Sequence, residues 1–96
     1  MRKPFFEREH PGGLGGVQKL YRFENGFGAS VVRFLGSYGG DEGKWELAVI
    51  HYTGEDEYSF EVRFDTPVAQ ALLGFMTEAE VDEALARIEA LPPDVP

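Results

Sequence analysis

The sequence predicts an α+β fold: a four-stranded antiparallel meander sheet, followed by a short helix and a C-terminal amphipathic helix packed on one sheet face. Three observations carry this prediction. Two strand-like runs, residues 27–35 (FGASVVRFL) and 44–52 (KWELAVIHY), are apolar on both faces. A strand with one wet face alternates apolar and polar side chains, and a strand covered on both sides does not. The pair Asn25-Gly26 separates the first of these runs from an earlier one, as a hairpin turn would. A Thr77-Glu78-Ala79-Glu80 capping box then opens the one long amphipathic helix.

Taken in order, residues 1–16 read as a flexible N-terminal arm. Pro4, Pro11 and the glycine-rich stretch 12–16 oppose regular structure, while Phe5, Phe6 and Leu14 are placed to pin the arm to the body. The first strand spans 17–24. A two-residue type I′ turn at Asn25-Gly26 pairs residues whose numbers sum to 51, so Phe23 faces Gly28, Tyr21 faces Ser30 and Leu20 faces Val31. In that register Tyr21, Phe23, Val32 and Phe34 share one face, and Leu20, Ala29, Val31 and Leu35 the other. The pattern does not assign the helix to either face.

A four-glycine connection, 36–43, reads as mobile. The third strand covers 44–53, and the fourth, 57–64, alternates as an edge strand does. Thr66-Pro67 resembles a helix start and Gly74 a helix stop, which frames the short helix. The main helix spans 78–91, with Val81, Ala84, Leu85 and Ile88 as its apolar stripe, and Pro92-Pro93 ends it. The expected organisation is thus an arm (1–16), one domain (17–91) and a tail (92–96).

One helix cannot roof both faces of such a sheet. The other face is expected to be closed by the arm and residues 68–75, by a second copy, or by a partner. Its candidate protein-binding anchors are the aromatics Tyr21, Phe23, Phe34, Tyr38 and Trp45, because large aromatic side chains supply much of the energy of an interface.

Charge narrows the partners. Residues 1–33 carry six basic and three acidic side chains; residues 34–96 carry three and fourteen, giving −8 in all. An acidic chain repels phosphates, so direct nucleic-acid binding is disfavoured. A basic protein surface would be attracted. An acidic patch of Asp41, Glu42, Glu55, Asp56, Glu57 and Glu61 offers an alternative reading, a nucleic-acid mimic that blocks a DNA-binding or defence protein of the anti-CRISPR or anti-restriction type.

Catalytic chemistry finds little to use. The absence of cysteine excludes disulfides and thiolate sites. His10 and His51 lack the companions of a zinc site, and no HExxH spacing exists. The carboxylates at 41–42 and 55–57 lack the spacing of a calcium loop. Ser37 is accessible in its glycine-rich loop but has no activating partner. The glycine stretch at 12–16 lacks the Lys-Ser/Thr of a phosphate loop and precedes a strand. The expectation is a non-enzymatic protein with no cofactor, no metal and no catalytic residue. No run approaches the ~18–20 apolar residues that cross a membrane, and no apolar secretory core opens the chain.

The segments Tyr21-Arg22-Phe23-Glu24-Asn25-Gly26-Phe27-Gly28-Ala29-Ser30-Val31-Val32-Arg33, Ser37-Tyr38-Gly39-Gly40, Trp45-Glu46-Leu47-Ala48-Val49-Ile50, Asp65-Thr66-Pro67 and Leu73-Gly74-Phe75 resemble a group of small bacteriophage proteins over about residues 20–91. The resemblance brings no activity and no functional residues. It implies a viral origin and a place in the bacterial host's cytoplasm. The reading that combines it with the aromatics is a phage accessory protein that binds and modulates or inhibits a host protein. A homodimer would close the same face equally well, and a minor virion or structural protein is a further alternative.

Overall fold

The computed structural model describes residues 1–10 and 15–94, so Leu14 and part of the glycine stretch lie outside the described residues. Six strands form one antiparallel sheet: β1 Phe6–Glu9, β2 Val17–Arg22, β3 Phe27–Arg33, β4 Trp45–Tyr52, β5 Phe60–Val62 and β6 Leu73–Met76. One helix follows, α1 Glu78–Glu89. The order across the sheet is β1-β2-β3-β4-β5, with β6 also on β4. β5 pairs with the end of β4 at Ile50–Tyr52, and β6 pairs with its beginning at Trp45 and Leu47. The α+β class and the antiparallel sheet agree with the sequence.

The hairpin register does not. Residue numbers sum to 50, not 51: Leu20 pairs with Ser30, Tyr21 with Ala29 and Arg22 with Gly28. The turn holds three residues instead of two. Gly26 N–H donates to the Phe23 carbonyl at 3.0 Å, and Gly26 takes φ 88°. This is a type I turn closed by a left-handed glycine, which an Asn-Gly pair serves as well as it serves a type I′ turn. Because side chains alternate every residue, a slip of one exchanges faces. Tyr21, Ala29, Val31, Trp45, Leu47 and Val49 lie under the helix, whereas Leu20, Ile50 and Tyr52 lie on the opposite face.

The helix follows its sequence closely. Thr77 Oγ1 accepts from the Glu80 N–H at 3.2 Å, and Glu80 accepts from the Thr77 N–H at 2.9 Å. Val81, Ala84, Leu85 and Ile88 are buried. Each larger member contributes roughly 1.5–3 kcal/mol by leaving water. The far end of the helix is held by the β2–β3 turn. Asn25 Nδ2 shares its hydrogens among the carbonyls of Ile88 (2.9 Å), Leu91 (2.9 Å) and Glu89 (3.3 Å), while its Oδ1 accepts from Phe27 N–H at 2.9 Å. Carbonyls at a helix C-terminus have no partner within the helix. One amide therefore caps the last turn, alongside the Ala90 and Leu91 N–H groups, and closes the hairpin as well.

The second sheet face is closed by the chain itself. The expected flexible arm forms β1, whose Phe6 pairs with Leu20. The glycines and prolines around it obscure a four-residue strand stabilised by pairing instead of by propensity. Phe6 and Phe60 pack on Leu20, Ile50 and Tyr52, and Tyr58 stands edge-on to Phe6 at 5.6 Å. Arg8 and Arg22 lie over Tyr58 and Tyr52, each at 4.5 Å from the ring centre. Val32, Ala48 and Val62 share this face with Gln18, Ser30 and Glu46, and Val62 is 44% exposed; Arg8 donates to Gln18 (2.7 Å), and Gln18 to Ser30 (3.1 Å). Of the coverings expected from the sequence, the arm is the one observed on this face, whereas Val68, Ala69 and Leu73 pack on the helix side.

Two further elements differ. The fourth strand shortens to β5 because Asp56 accepts from Tyr58 N–H and the Ser59 hydroxyl, both at 2.8 Å, and so bends residues 56–59 into a turn. The short helix after Thr66 does not form. Thr66 Oγ1 accepts from Ala69 N–H (3.4 Å), Gln70 Nε2 donates to the Thr66 carbonyl, and the backbone at 66–71 stays bent. Residues 73–76, framed in the sequence as the end of that helix, complete the free edge of β4.

The Asn25 bridge generates a prediction. Asn25→Ala lowers stability by about 1–2 kcal/mol, the loss of several hydrogen bonds between part-buried groups. Asn25→Asp retains the turn acceptor but sets a carboxylate against three carbonyls. Its extra loss grows as pH rises through the ordinary carboxylate range and is absent below it. Urea unfolding of both variants at pH 3 and pH 7 checks the sign.

Candidate functional site

Of the eight exposed large apolar side chains among the described residues, four gather at one corner of the molecule; the others are Phe5, Leu35, Tyr58 and Val62. The chain leaves β5 at Val62 and returns as β6 at Leu73, and this excursion faces the connection between β3 and β4. Tyr38, Phe64, Gln70, Ala71 and Leu72 line an open hollow of about 510 Å³. Tyr38 is 59% exposed, Phe64 51% and Leu72 42%. Phe75, beside it in β6, is 52% exposed.

The two walls are fixed by different means. On one side the 36–43 connection, expected to be mobile, is hydrogen-bonded along its length. Ser37 Oγ donates to the Phe34 carbonyl (2.8 Å) and accepts from the Phe34 N–H (3.0 Å). Gly40, Glu42 and Gly43 N–H groups follow in successive turns, and the Phe75 N–H donates to the Tyr38 carbonyl at 3.0 Å. Ser37 is thus buried and engaged, not accessible. Tyr38 lies against Gly74, where any Cβ would strike its side chain at 2.5 Å, so glycine lets the ring sit close to β6.

On the other side, Arg63 directs the chain. Its guanidinium donates to both Asp65 oxygens (2.7 and 2.8 Å) and to Asp94 (2.8 Å). These bonds hold the Asp65 and Asp94 carboxyls below the usual carboxylate range and push Arg63 up. Phe64 stands between these two anchored residues, which sets it outward.

Phe75 takes φ 54°, a left-handed backbone, and is the only described non-glycine residue with positive φ. For a residue with a Cβ this costs roughly 1–2 kcal/mol. Its ring gains little burial in return. Strain of this kind concentrates at functional positions.

The five aromatics singled out in the sequence do not form one surface. Tyr21 is 2% exposed and Trp45 3%, both under the helix. The Tyr21 hydroxyl donates to the Arg2 carbonyl at 2.7 Å, and burial pushes its pKa up to about 12. Trp45 lies between Arg33 (4.3 Å) and Lys19 (5.1 Å), with no hydrogen-bond partner for its Nε1 among the described residues. Phe23 packs partly buried against the helix-side core. Phe34 stacks on His10 with ring centres 4.0 Å apart. Only Tyr38 lines the hollow.

Phe64, Leu72 and Phe75 escaped sequence reasoning. The first closed an alternating strand, and the others belonged to the expected helix and its stop. Their signal was the apolar run 72–76 directly after a bent segment.

The acidic residues are divided as well. Asp41 and Glu42 precede β4, and Glu55, Asp56 and Glu57 follow it, roughly 25 Å apart over its eight residues. Glu61 pairs across from His51 on β5. His51 stands edge-on to Phe27 at 4.9 Å. Among the described residues no group of three His, Asp or Glu is placed to hold a metal ion, and no helix is long and apolar enough to cross a membrane.

Two outcomes follow from these anchors. Asp65 and Asp94, bound by Arg63, and Glu80, bound by the Thr77 N–H and hydroxyl, all have lowered pKa values. A depressed folded-state pKa contributes stability above the unfolded-state value that disappears as pH falls through the folded-state one. The urea midpoint should therefore drop below about pH 4, and Arg63→Gln should flatten that drop. Phe75→Gly relieves the left-handed strain but frees the unfolded chain. It should leave stability unchanged or raise it by up to about 1 kcal/mol, measured as the thermal midpoint.

Comparison of the chain with protein-family models, with curated proteins and with solved structures gave no match.

Proposed function

We propose that this chain is a non-enzymatic binding protein, a phage accessory protein that docks on a host protein and modulates or inhibits it. The observation that carries the reading is the hollow formed by Tyr38, Phe64 and Leu72. Three large apolar side chains, each more than two-fifths exposed, gather at one corner of a chain that covers both faces of its own sheet. Exposed apolar clusters on small domains mark contact surfaces. The walls are anchored by Arg63 and by the hydrogen bonds of the 36–43 connection, so little ordering is needed on binding.

The partner surface that fits is a protruding aliphatic or aromatic side chain flanked by Lys or Arg. Charge favours this over a second copy. Each copy carries −8, and two would repel, while a basic surface is drawn in. The viral origin rests on the resemblance of residues 20–91 to small bacteriophage proteins. The nucleic-acid-mimic reading would need the carboxylates at the two ends of β4 to act together.

The test is capture from a bacterial lysate by the immobilised protein and by a Phe64→Ser/Leu72→Ser variant, with the retained protein identified and purified for titration. The substituted residues are exposed, so the variant is expected to fold. Its affinity should fall at least thirtyfold, about 2 kcal/mol or more. Binding by the unaltered chain should persist at about 0.5 M salt, where exposed charge pairs are screened. Equal retention of the same partner by both proteins removes the hollow as the contact. Steep loss with salt, restored affinity in the variant and sensitivity to Glu55→Gln/Asp56→Asn would favour the acidic alternative.

A further inference from the structure

A second hollow, of about 330 Å³, lies on the far side of the molecule, between residues 2–5 and β2. It is lined by Arg2, Lys3, Pro4, Phe5, Tyr21, Arg22, Phe23 and Glu89. Its volume falls within the range of about 300–1,000 Å³ typical of small-ligand sites. Three of the chain's nine basic residues meet here, on a protein of net charge −8.

Their bonding leaves a charge imbalance. Arg2 is committed: its guanidinium binds Glu89 at 3.1 Å and lies 5.3 Å from the centre of the Phe23 ring. That pair is neutral. Lys3 is exposed, and neither it nor Arg22 has a carboxylate at ion-pair distance among the described residues. Arg22 uses one N–H on the Glu55 carbonyl at 3.0 Å and stacks over Tyr52. A guanidinium has five N–H donors, so its donor capacity is far from filled. Lys3 and Arg22 are therefore the two cations of the hollow without a carboxylate at ion-pair distance among the described residues, Arg22 standing beside the acidic turn 55–57. A phosphate monoester carries about −1.5 to −2 near neutral pH.

The remaining wall is aromatic. Phe5 is 49% exposed, with Arg22 6.0 Å from its ring centre. A half-open aromatic face beside a cationic cradle suits a planar base joined to a phosphate. The Tyr21 hydroxyl ties the Arg2 backbone to β2, so the segment that carries Lys3 and Phe5 is held in place before any ligand arrives.

We propose that this hollow binds a nucleoside monophosphate, its phosphate on Lys3 and Arg22 and its base against Phe5. The assignment is independent of the protein contact at the Tyr38 corner. The experiment is titration of the ¹⁵N-labelled protein with adenosine monophosphate, adenosine and inorganic phosphate, followed by amide shifts. Adenosine monophosphate should shift the amides of residues 2, 3, 5 and 21–23 saturably, with the other two probes at least about tenfold weaker. Lys3→Gln, at an exposed position that does not threaten the fold, and Arg22→Gln should each weaken binding about tenfold. Raised salt should weaken it too. Absence of a saturable shift up to about 10 mM, shifts confined to other regions, or inorganic phosphate binding as tightly as the nucleotide would each overturn the proposal.

Discussion

The Asn25 amide is the constraint on which the rest of this structure depends. It joins two elements that otherwise meet only through apolar packing: the tip of the β2–β3 hairpin and the last turn of α1. Closing the hairpin with three residues decides which side chains of β2 and β3 face the helix. Satisfying the terminal carbonyls then decides where along the sheet the helix ends. Tyr21, Ala29, Val31 and Leu47 become core through this one choice, and Leu20 and Ile50 become the seed of the opposite cluster. The burial energy of the core is large, but it is non-directional. The polar bridge gives it a register.

The two sheet faces are finished by different physics. The helix side is closed by a full layer of interlocked side chains around Leu85 and Ile88, with Tyr21, Phe27 and Trp45 buried among the aliphatics. The other side has too little chain above it for a second layer. It is finished by edge-to-face aromatics and by arginines lying flat on them, with the charged heads in water and the stems over the rings. This explains the uneven charge distribution. The basic residues of the N-terminal third serve largely as lids on aromatic surface, whereas the acidic residues of the remainder lie mainly in turns and on the helix.

Local chemistry was legible in the sequence, and long-range chemistry was not. The Thr77–Glu80 box, the Val81–Leu85–Ile88 stripe and the long runs of β3 and β4 are written in neighbouring residues, and each formed, although β3 stops at Arg33, β4 at Tyr52 and the helix at Glu89, one or two residues short of the expected ends. The hairpin register was missed because Asn-Gly suits two turn types. The contact that selects between them involves residues more than sixty positions away. β1 and β6 were missed because each has only four residues and is stabilised by the strand beside it. Thr66-Pro67 carries a sound helix-start signal, but Thr66 turns its hydroxyl to Ala69 in a bent segment. Of the candidate site, only Tyr38 was foreseen. Phe64 and Leu72 become neighbours only once β5 and β6 share the same edge of β4.

That shared edge has an evolutionary consequence. The residues between β5 and β6 leave the sheet and rejoin it on the same strand, so their length is not set by any crossing of the fold. Lengthening such a detour is thermodynamically cheap, about 0.6 kcal/mol for each doubling. The segment carrying Gln70, Ala71 and Leu72 is therefore free to diversify in sequence and size while β4 keeps its pairing. Sequence drift at this corner is therefore accommodated without refolding the rest.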